Sequence, residues 1–190
     1  MNSLALDTTD AALSMAASDG KTFWTWRRKT RTPDRLLWPA LTALLKRAGL
    51  ELERIELVVV ASGPGTFTGT RLGMTCASII GAQLGIPLAA VSKLEAMAFK
   101  GSGRVCAVLE GARAEKFYQL FERKTRLTAK SAPQWCPPAP WEERRRALEA
   151  EGYAFLSAPP EAKDLAAVAQ SRRAPAPFEP LYLKPASYER

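Results

Sequence analysis

The chain has 190 residues, of which 47% are hydrophobic, and this is enough apolar material for one domain or two small ones. It contains no histidine, which excludes histidine-bound metals and Ser-His or Cys-His nucleophile pairs. The three cysteines are far apart, which argues against a disulfide framework or a zinc site, and the net charge of +8 favours acidic partners. Since it lacks a membrane-length apolar stretch and the features of a signal peptide, we expect a cytoplasmic protein without membrane association.

The first hundred residues alternate between predicted strands and helices. The strands are predicted over 3–7, 12–17, 22–26, 57–61 and 86–91. One helix is predicted to begin after Thr32, with Pro33 in its first turn, and another opens with the capping-box pattern at 92–95. This order predicts an α/β fold with a mixed sheet flanked by helices.

The most distinctive stretch of the sequence follows the strand over 57–61. It begins with residues typical of a tight turn and a helix start, namely Gly63, Pro64, Gly65, Thr66, Phe67 and Thr68. The helix that follows carries a small residue at every fourth position, namely Gly69, Gly73, Ala77, Gly81 and Gly85. Such a column lets another backbone approach closely, within the same chain or in a partner.

The spacing of these glycines matches neither common phosphate-binding loop. A Walker A loop requires a lysine after its last glycine, where this chain has Thr70 and Arg71, and the dinucleotide pattern fails at Thr68. The free N–H groups of a helix start still leave anion binding open. The alternative, which we favour, is a capped helix packed on a neighbouring element.

The polar residues Asp7, Thr8 and Thr9 end the first predicted strand. In a two-lobe nucleotide-binding fold such a turn contacts phosphates or hydrated Mg²⁺. The alternative is an Asx-type turn in which Asp7 binds its own backbone. The second half of the chain offers only a partial match to a second acidic turn, at 110–113. The three residues are therefore interpreted as a degenerate phosphate site.

The glycine-containing stretch at 100–103 is interpreted as a linker, followed by a smaller second lobe. Strands are predicted over 104–110, 115–122 and 153–157, and helices over 141–150 and 161–170. The proline-rich segment 132–140 predicts an irregular surface crossing. The expected domains are an N-terminal lobe over 1–99 and a C-terminal lobe over 104–190.

These motifs resemble those of the TsaB (YeaZ) family, a subunit of the bacterial machinery that makes threonylcarbamoyladenosine in tRNA. The resemblance is carried most specifically by 63–73, and further by 4–9, 36–39, 84–87 and 91–96, with weaker matches at 112–118 and 180–184. It implies a two-lobe fold of the actin, Hsp70 and sugar-kinase (ASKHA) kind with a reduced second lobe.

The resemblance also implies a function and a set of partners. A member of this family is a non-catalytic subunit that stabilises and activates a TsaD-like catalytic subunit. A TsaE-like ATPase joins that pair, tRNA binds through the complex, and a homodimer is an alternative when the chain is alone. The chain is expected to have no cofactor of its own, with ATP and metal bound by the partner subunits.

The partner interface is predicted on helices of the first lobe, at Leu37, Leu41, Gly69, Arg71, Leu72, Gly73, Ala77 and Gly81. Two other hypotheses stay open. The first is a free-standing, ATP-dependent kinase-like enzyme that uses Asp7. The second is a tRNA-binding module carried by the basic run at 27–31, for which a solvated strand end is the plainer alternative.

Overall fold

The computed structural model describes residues 1–172 and 177–184, and the chain divides into two compact units. Unit 1 contains Met1–Ser92 together with 161–172 and 177–181, and unit 2 contains Lys93–Pro160 together with 182–184. The end of the predicted C-terminal lobe, at 185–190, lies outside the described residues.

Ten strands and five α-helices are assigned in the described residues, with two short 3₁₀ turns at Leu52–Arg54 and Ala112–Ala114. The strands are β1 (Ser3–Asp7), β2 (Ala12–Ser18), β3 (Phe23–Lys29), β4 (Leu57–Gly63), β5 (Leu88–Ser92), β6 (Gly103–Glu110), β7 (Lys116–Arg123), β8 (Leu127–Ala129), β9 (Gln134–Cys136) and β10 (Ala154–Leu156). The helices are α1 (Pro33–Ala48), α2 (Phe67–Leu84), α3 (Lys93–Ala98), α4 (Pro138–Ala150) and α5 (Ala162–Ser171). In this part of the chain, no helix combines the length and apolarity that a membrane crossing requires.

Unit 1 is built on a five-stranded sheet with the order β3-β2-β1-β4-β5. β1 pairs antiparallel with β2 and parallel with β4, so the predicted mixed sheet is confirmed. Alternate side chains of each strand point to opposite faces. Leu4 and Leu6 of β1 belong to the apolar cluster that α1 and α2 cover. On the other face, Ser3 accepts a hydrogen bond from the Gln170 side chain of α5 (3.0 Å).

Unit 2 is built on a second sheet with the order β10-β6-β7-β8, in which β9 also pairs with β7. β6 and β7 are antiparallel, and β10 is parallel to β6. Leu94 and Met97 of α3 share one apolar cluster with Val105 of β6. Trp141 and Leu148 of α4 belong to another cluster of the same unit. This lobe therefore has its own core.

The chain divides differently from the expected boundary between 1–99 and 104–190. α3 belongs to unit 2 because its apolar side chains pack on β6 and β7. α5 belongs to unit 1 because it packs on β1, β2, β4 and β5. The stretch at 100–103 is consequently not the boundary, and Gly101 lies against Val105 within unit 2.

The proline-rich segment 132–140 is more regular than predicted. It contains β9 and the beginning of α4. β9 has only three residues, and its place depends on pairing with β7, with Trp135 opposite Phe117. Pro138 occupies the first turn of α4. A backbone N–H there would have no acceptor within the helix, so its absence in proline costs no hydrogen bond. The proline-rich composition could not show that β9 pairs with β7 or that Pro138 lies in a helix.

Candidate functional site

The glycine-rich stretch connects the buried strand β4 to α2. Gly63 has a φ of 114°, in the left-handed region that favours glycine, and the Gly63-Pro64 peptide bond is cis. Thr66 caps α2, since its Oγ1 accepts a hydrogen bond from the Gly69 N–H (3.2 Å). The Thr70 hydroxyl donates to the Thr66 carbonyl (2.9 Å). The start of α2 is therefore held by its own side chains.

Asp7, Thr8 and Thr9 form a buried turn at the end of β1. One oxygen of the Asp7 carboxylate, Oδ1, accepts hydrogen bonds from the Thr9 N–H (2.9 Å) and the Thr9 hydroxyl (2.7 Å). Asp7 is only 3% exposed, and Thr9 is fully buried. Of the two alternatives for this turn, the structure contains the Asx-type turn.

The Asx-type turn and the glycine turn pack directly against each other. The Thr66 N–H donates to the Thr9 carbonyl (2.8 Å), and the Thr8 hydroxyl donates to the Gly69 carbonyl (2.6 Å). A Cβ added to Gly65 would lie 2.5 Å from the Thr9 Cβ. Thr8 and Thr9 thus pack directly against the glycines of the turn and of α2.

The column of small residues on α2 faces the sheet of unit 1. A Cβ on Gly73 would lie 2.5 Å from the Thr8 hydroxyl oxygen, and a Cβ on Gly81 would lie 2.5 Å from Leu88 Cδ2. Most of the predicted partner-interface residues are buried, namely Leu37, Leu41, Gly69, Gly73, Ala77 and Gly81. Only Arg71 is exposed and Leu72 partly exposed. Within this chain the small column therefore serves close helix–sheet packing, and contact of the predicted residues with a partner stays a prediction.

The opposite side of α2 is exposed, and we call it the α2 stripe. Its residues recur at helical spacing and are Phe67, Arg71, Thr75, Ser78, Ile79 and Ala82. Phe67 is 52% exposed and Ile79 is 53% exposed. The Arg71 guanidinium carbon lies 3.9 Å from the centroid of the Phe67 ring. Sequence reasoning missed Ile79, although two large apolar residues on a helix face with a single charge were a usable signal.

The acidic turn of the second lobe is a surface feature of unit 2. The Glu110 side chain is 66% exposed and forms an ion pair with Lys116. Arg113 and Ala114 both have a φ of 60°.

Within the described ranges, no group of three Asp, Glu or Cys side chains is arranged to hold a metal ion. Burial raises the pKa of Cys106 to about 12, so this thiol is not prepared to act as a nucleophile.

Glu115 attaches the last described residues to unit 2. Lys184 Nζ donates to both carboxylate oxygens of Glu115, at 3.0 and 2.8 Å, and Trp135 Nε1 donates to one of them at 3.1 Å. Burial by itself raises the pKa of Glu115. The hydrogen bonds from Lys184 and Trp135, with the positive charge of Lys184, outweigh burial and hold the pKa below its usual 4.5.

Glu115→Gln is expected to lower the free energy of unfolding at pH 7 by about 1–3 kcal/mol, because a charge-assisted pair is lost. A carboxylate whose pKa is lower in the folded state stabilises the protein above its unfolded-state pKa. That contribution disappears as pH falls through the folded-state value. The difference in free energy of unfolding between wild type and variant should therefore be largest at pH 7 and should disappear as pH falls below about 4.5. Urea unfolding across this range measures it.

Glu110→Gln is the matched control, since it removes an exposed ion pair of the same unit and should change stability by about 1 kcal/mol or less. A difference between wild type and Glu115→Gln that is the same at every pH would contradict the expectation.

Comparisons with known proteins agree on one relationship. The family model of TsaD, tRNA N6-adenosine threonylcarbamoyltransferase, matches residues 31–143. The tRNA threonylcarbamoyladenosine biosynthesis protein TsaB of Bacillus subtilis is 30% identical over 140 residues, which cover 70% of this chain and 60% of that relative. The TsaB protein of Escherichia coli is 29% identical over 65% of this chain and 56% of its own length. The chain thus matches less than two thirds of these relatives.

The structural comparison concerns the fold. YeaZ from Pseudomonas aeruginosa superposes with a TM-score of 0.77 at 23% identity, covering 95% of this chain and 100% of that one. Together with the family-model match, this confirms the predicted ASKHA-like α/β fold.

Proposed function

The chain belongs to the TsaB (YeaZ) family, and on that premise we propose that it is a non-catalytic subunit of the machinery that makes threonylcarbamoyladenosine in tRNA. In this role it stabilises and activates a TsaD-like threonylcarbamoyltransferase. A TsaE-like ATPase joins the pair, and ATP and metal are bound by the partner subunits. Such a role belongs in the cytoplasm, where tRNA is modified.

One observation carries the non-catalytic part of the proposal. The turn that would contact a nucleotide makes contacts inside unit 1, since Oδ1 of Asp7 accepts the N–H and hydroxyl of Thr9, and the Thr9 carbonyl accepts the Thr66 N–H. An acid that binds phosphate-bound Mg²⁺ must present its oxygens to the ligand. Asp7 is buried instead, so the kinase-like alternative has no support from this turn.

The α2 stripe is the surface that we assign to the TsaD-like partner. It carries a single charged residue, Arg71, and two exposed apolar side chains, Phe67 and Ile79. Apolar and aromatic side chains of this size are typical of the central contacts of protein interfaces. The family model that matches this chain is that of TsaD, so the expected partner is a chain of related fold. When the chain is alone, the same stripe is available to a second copy.

Co-expression with a tagged TsaD-like protein tests the proposal. We expect the chain to co-purify with it and to co-elute from a sizing column. The modification of tRNA by purified TsaD-like and TsaE-like proteins should require the chain. The chain alone should not turn over ATP. A partner that remains separate at micromolar concentrations, or steady ATP turnover that Asp7→Asn removes, would overturn the proposal.

A further inference from the structure

A second surface of unit 1 has a very different charge from the α2 stripe. The segment 23–48, which spans β3, the following loop and α1, carries seven arginine and lysine side chains and a single carboxylate, Asp34. The whole chain has a net charge of +8, so this segment holds most of the excess. We propose that this surface, the β3–α1 surface, binds the phosphate backbone of tRNA directly. The identity of the RNA rests on the proposed function.

The cations of this surface are displayed on an anchored strand. β3 lies at the edge of the sheet of unit 1, paired with β2 along its length. Its early part is held by Trp24 and Trp26, which pack partly buried against the apolar cluster. Its end, Arg27 to Lys29, is exposed. A rigid strand that presents exposed cations loses little conformational freedom on binding, compared with a flexible basic tail.

A concave region lies where β3 passes into α1. It is lined by Arg28, Lys29, Thr30, Thr32, Arg35 and Leu36 and has a volume of about 230 Å³. Arginine and hydroxyl side chains on one concave wall are suited to phosphate oxygens, which accept several hydrogen bonds. No side chain caps the start of α1, but Asp34 in its first turn already interacts with the positive end of the helix dipole, so the attraction for an anion comes from the arginine and lysine side chains.

The arrangement favours an extended polyanion over a single phosphate. Successive same-face residues of a strand are about 6.6 Å apart, so Arg27 lies one such step from Lys29, which lines the concave region. With the described residues as partners, the five cations from Arg27 to Arg35 form no ion pair. Their charge is therefore free to neutralise phosphates and release counterions, which is the main source of RNA backbone affinity.

The test measures tRNA binding by the purified full-length chain across a salt series, using fluorescence anisotropy of a labelled, unmodified tRNA transcript. The variant is Arg28→Gln combined with Arg35→Gln. We expect weaker binding. The slope of log Kd against log salt concentration should also fall by about 1.4–1.8, because two phosphate contacts are lost. Arg126→Gln combined with Arg146→Gln is the matched control, because these exposed arginines of unit 2 remove the same charge elsewhere.

Each outcome decides the proposal. It is overturned if the two double variants behave alike, if the wild-type chain shows no salt-dependent tRNA binding, or if inorganic phosphate at matched ionic strength displaces the tRNA. An absence of salt-dependent tRNA binding would favour a different role for the charges on this edge strand, which is to prevent its pairing with another sheet.

The failure of this proposal is distinguishable from failure of the proposed function. Arg28 and Arg35 lie outside the α2 stripe, so the double variant should still form the complex with the TsaD-like partner. A wild-type chain that binds tRNA but no partner would contradict the proposed function alone.

Discussion

Ile79→Glu is expected to weaken binding to the TsaD-like partner by at least ~30-fold while the chain stays folded. The side chain is 53% exposed on the α2 stripe, so a carboxylate there remains in water in the free chain. In an interface, the same carboxylate would be removed from water without a partner, and truncation of a central apolar contact alone costs about 2 kcal/mol or more. The Kd is measured by calorimetry, and the folded state by thermal unfolding.

Ala147→Glu is the matched control for this variant. Ala147 is exposed on α4 in unit 2, so the substitution adds the same charge to a helix surface outside the stripe. Its Kd should equal that of the wild type, and both variants should unfold within about 0.5 kcal/mol of it. Thr75→Arg repeats the test on the stripe without removing an apolar side chain. Wild-type affinity in both stripe variants would show that the partner binds elsewhere.

Gly69→Ala is expected to lower the free energy of unfolding by about 1–3 kcal/mol, although alanine is the better helix former by about 1 kcal/mol. The added methyl group would lie 2.1 Å from the Thr8 carbonyl oxygen and 2.6 Å from the Thr66 hydroxyl oxygen. The backbone must move, which disturbs both the hydrogen bond from Thr8 to Gly69 and the Thr66 cap. Urea unfolding at neutral pH measures the loss.

Ser78→Ala is the control for this prediction, since it places the same methyl-bearing residue on the exposed side of α2. It should be neutral or stabilising by a few tenths of a kcal/mol. The pair of predictions also tests the interface predicted from the sequence. Gly69 faces the sheet, so its substitution should act on stability, whereas Ile79→Glu should act on binding. Unchanged stability with weakened partner binding in Gly69→Ala would support the interface first predicted from the sequence.

The alternation of strands and helices was readable from local patterns. The apolar run before Gly63 and the hydroxyl residues after it predicted β4 and the start of α2, and both are present. Thr66 as a cap and an Asx-type turn at Asp7 were each among the alternatives. The contact from Thr66 to Thr9, which joins the two turns and residues far apart in the chain, could not be predicted from either local pattern.

The amino-acid sequence by itself determined the order of elements, the concentration of positive charge in 23–48 and the motifs that identify the family. Only the tertiary structure decided which side of α2 is buried. Both sides of that helix are almost uncharged, so polarity did not distinguish them, and small residues suit close packing in either direction. The return of α5 to the first sheet and the attachment of Lys184 to Glu115 also depend on long-range contacts. Local preferences are too weak to specify such contacts, which form only when the folded chain brings the two surfaces together.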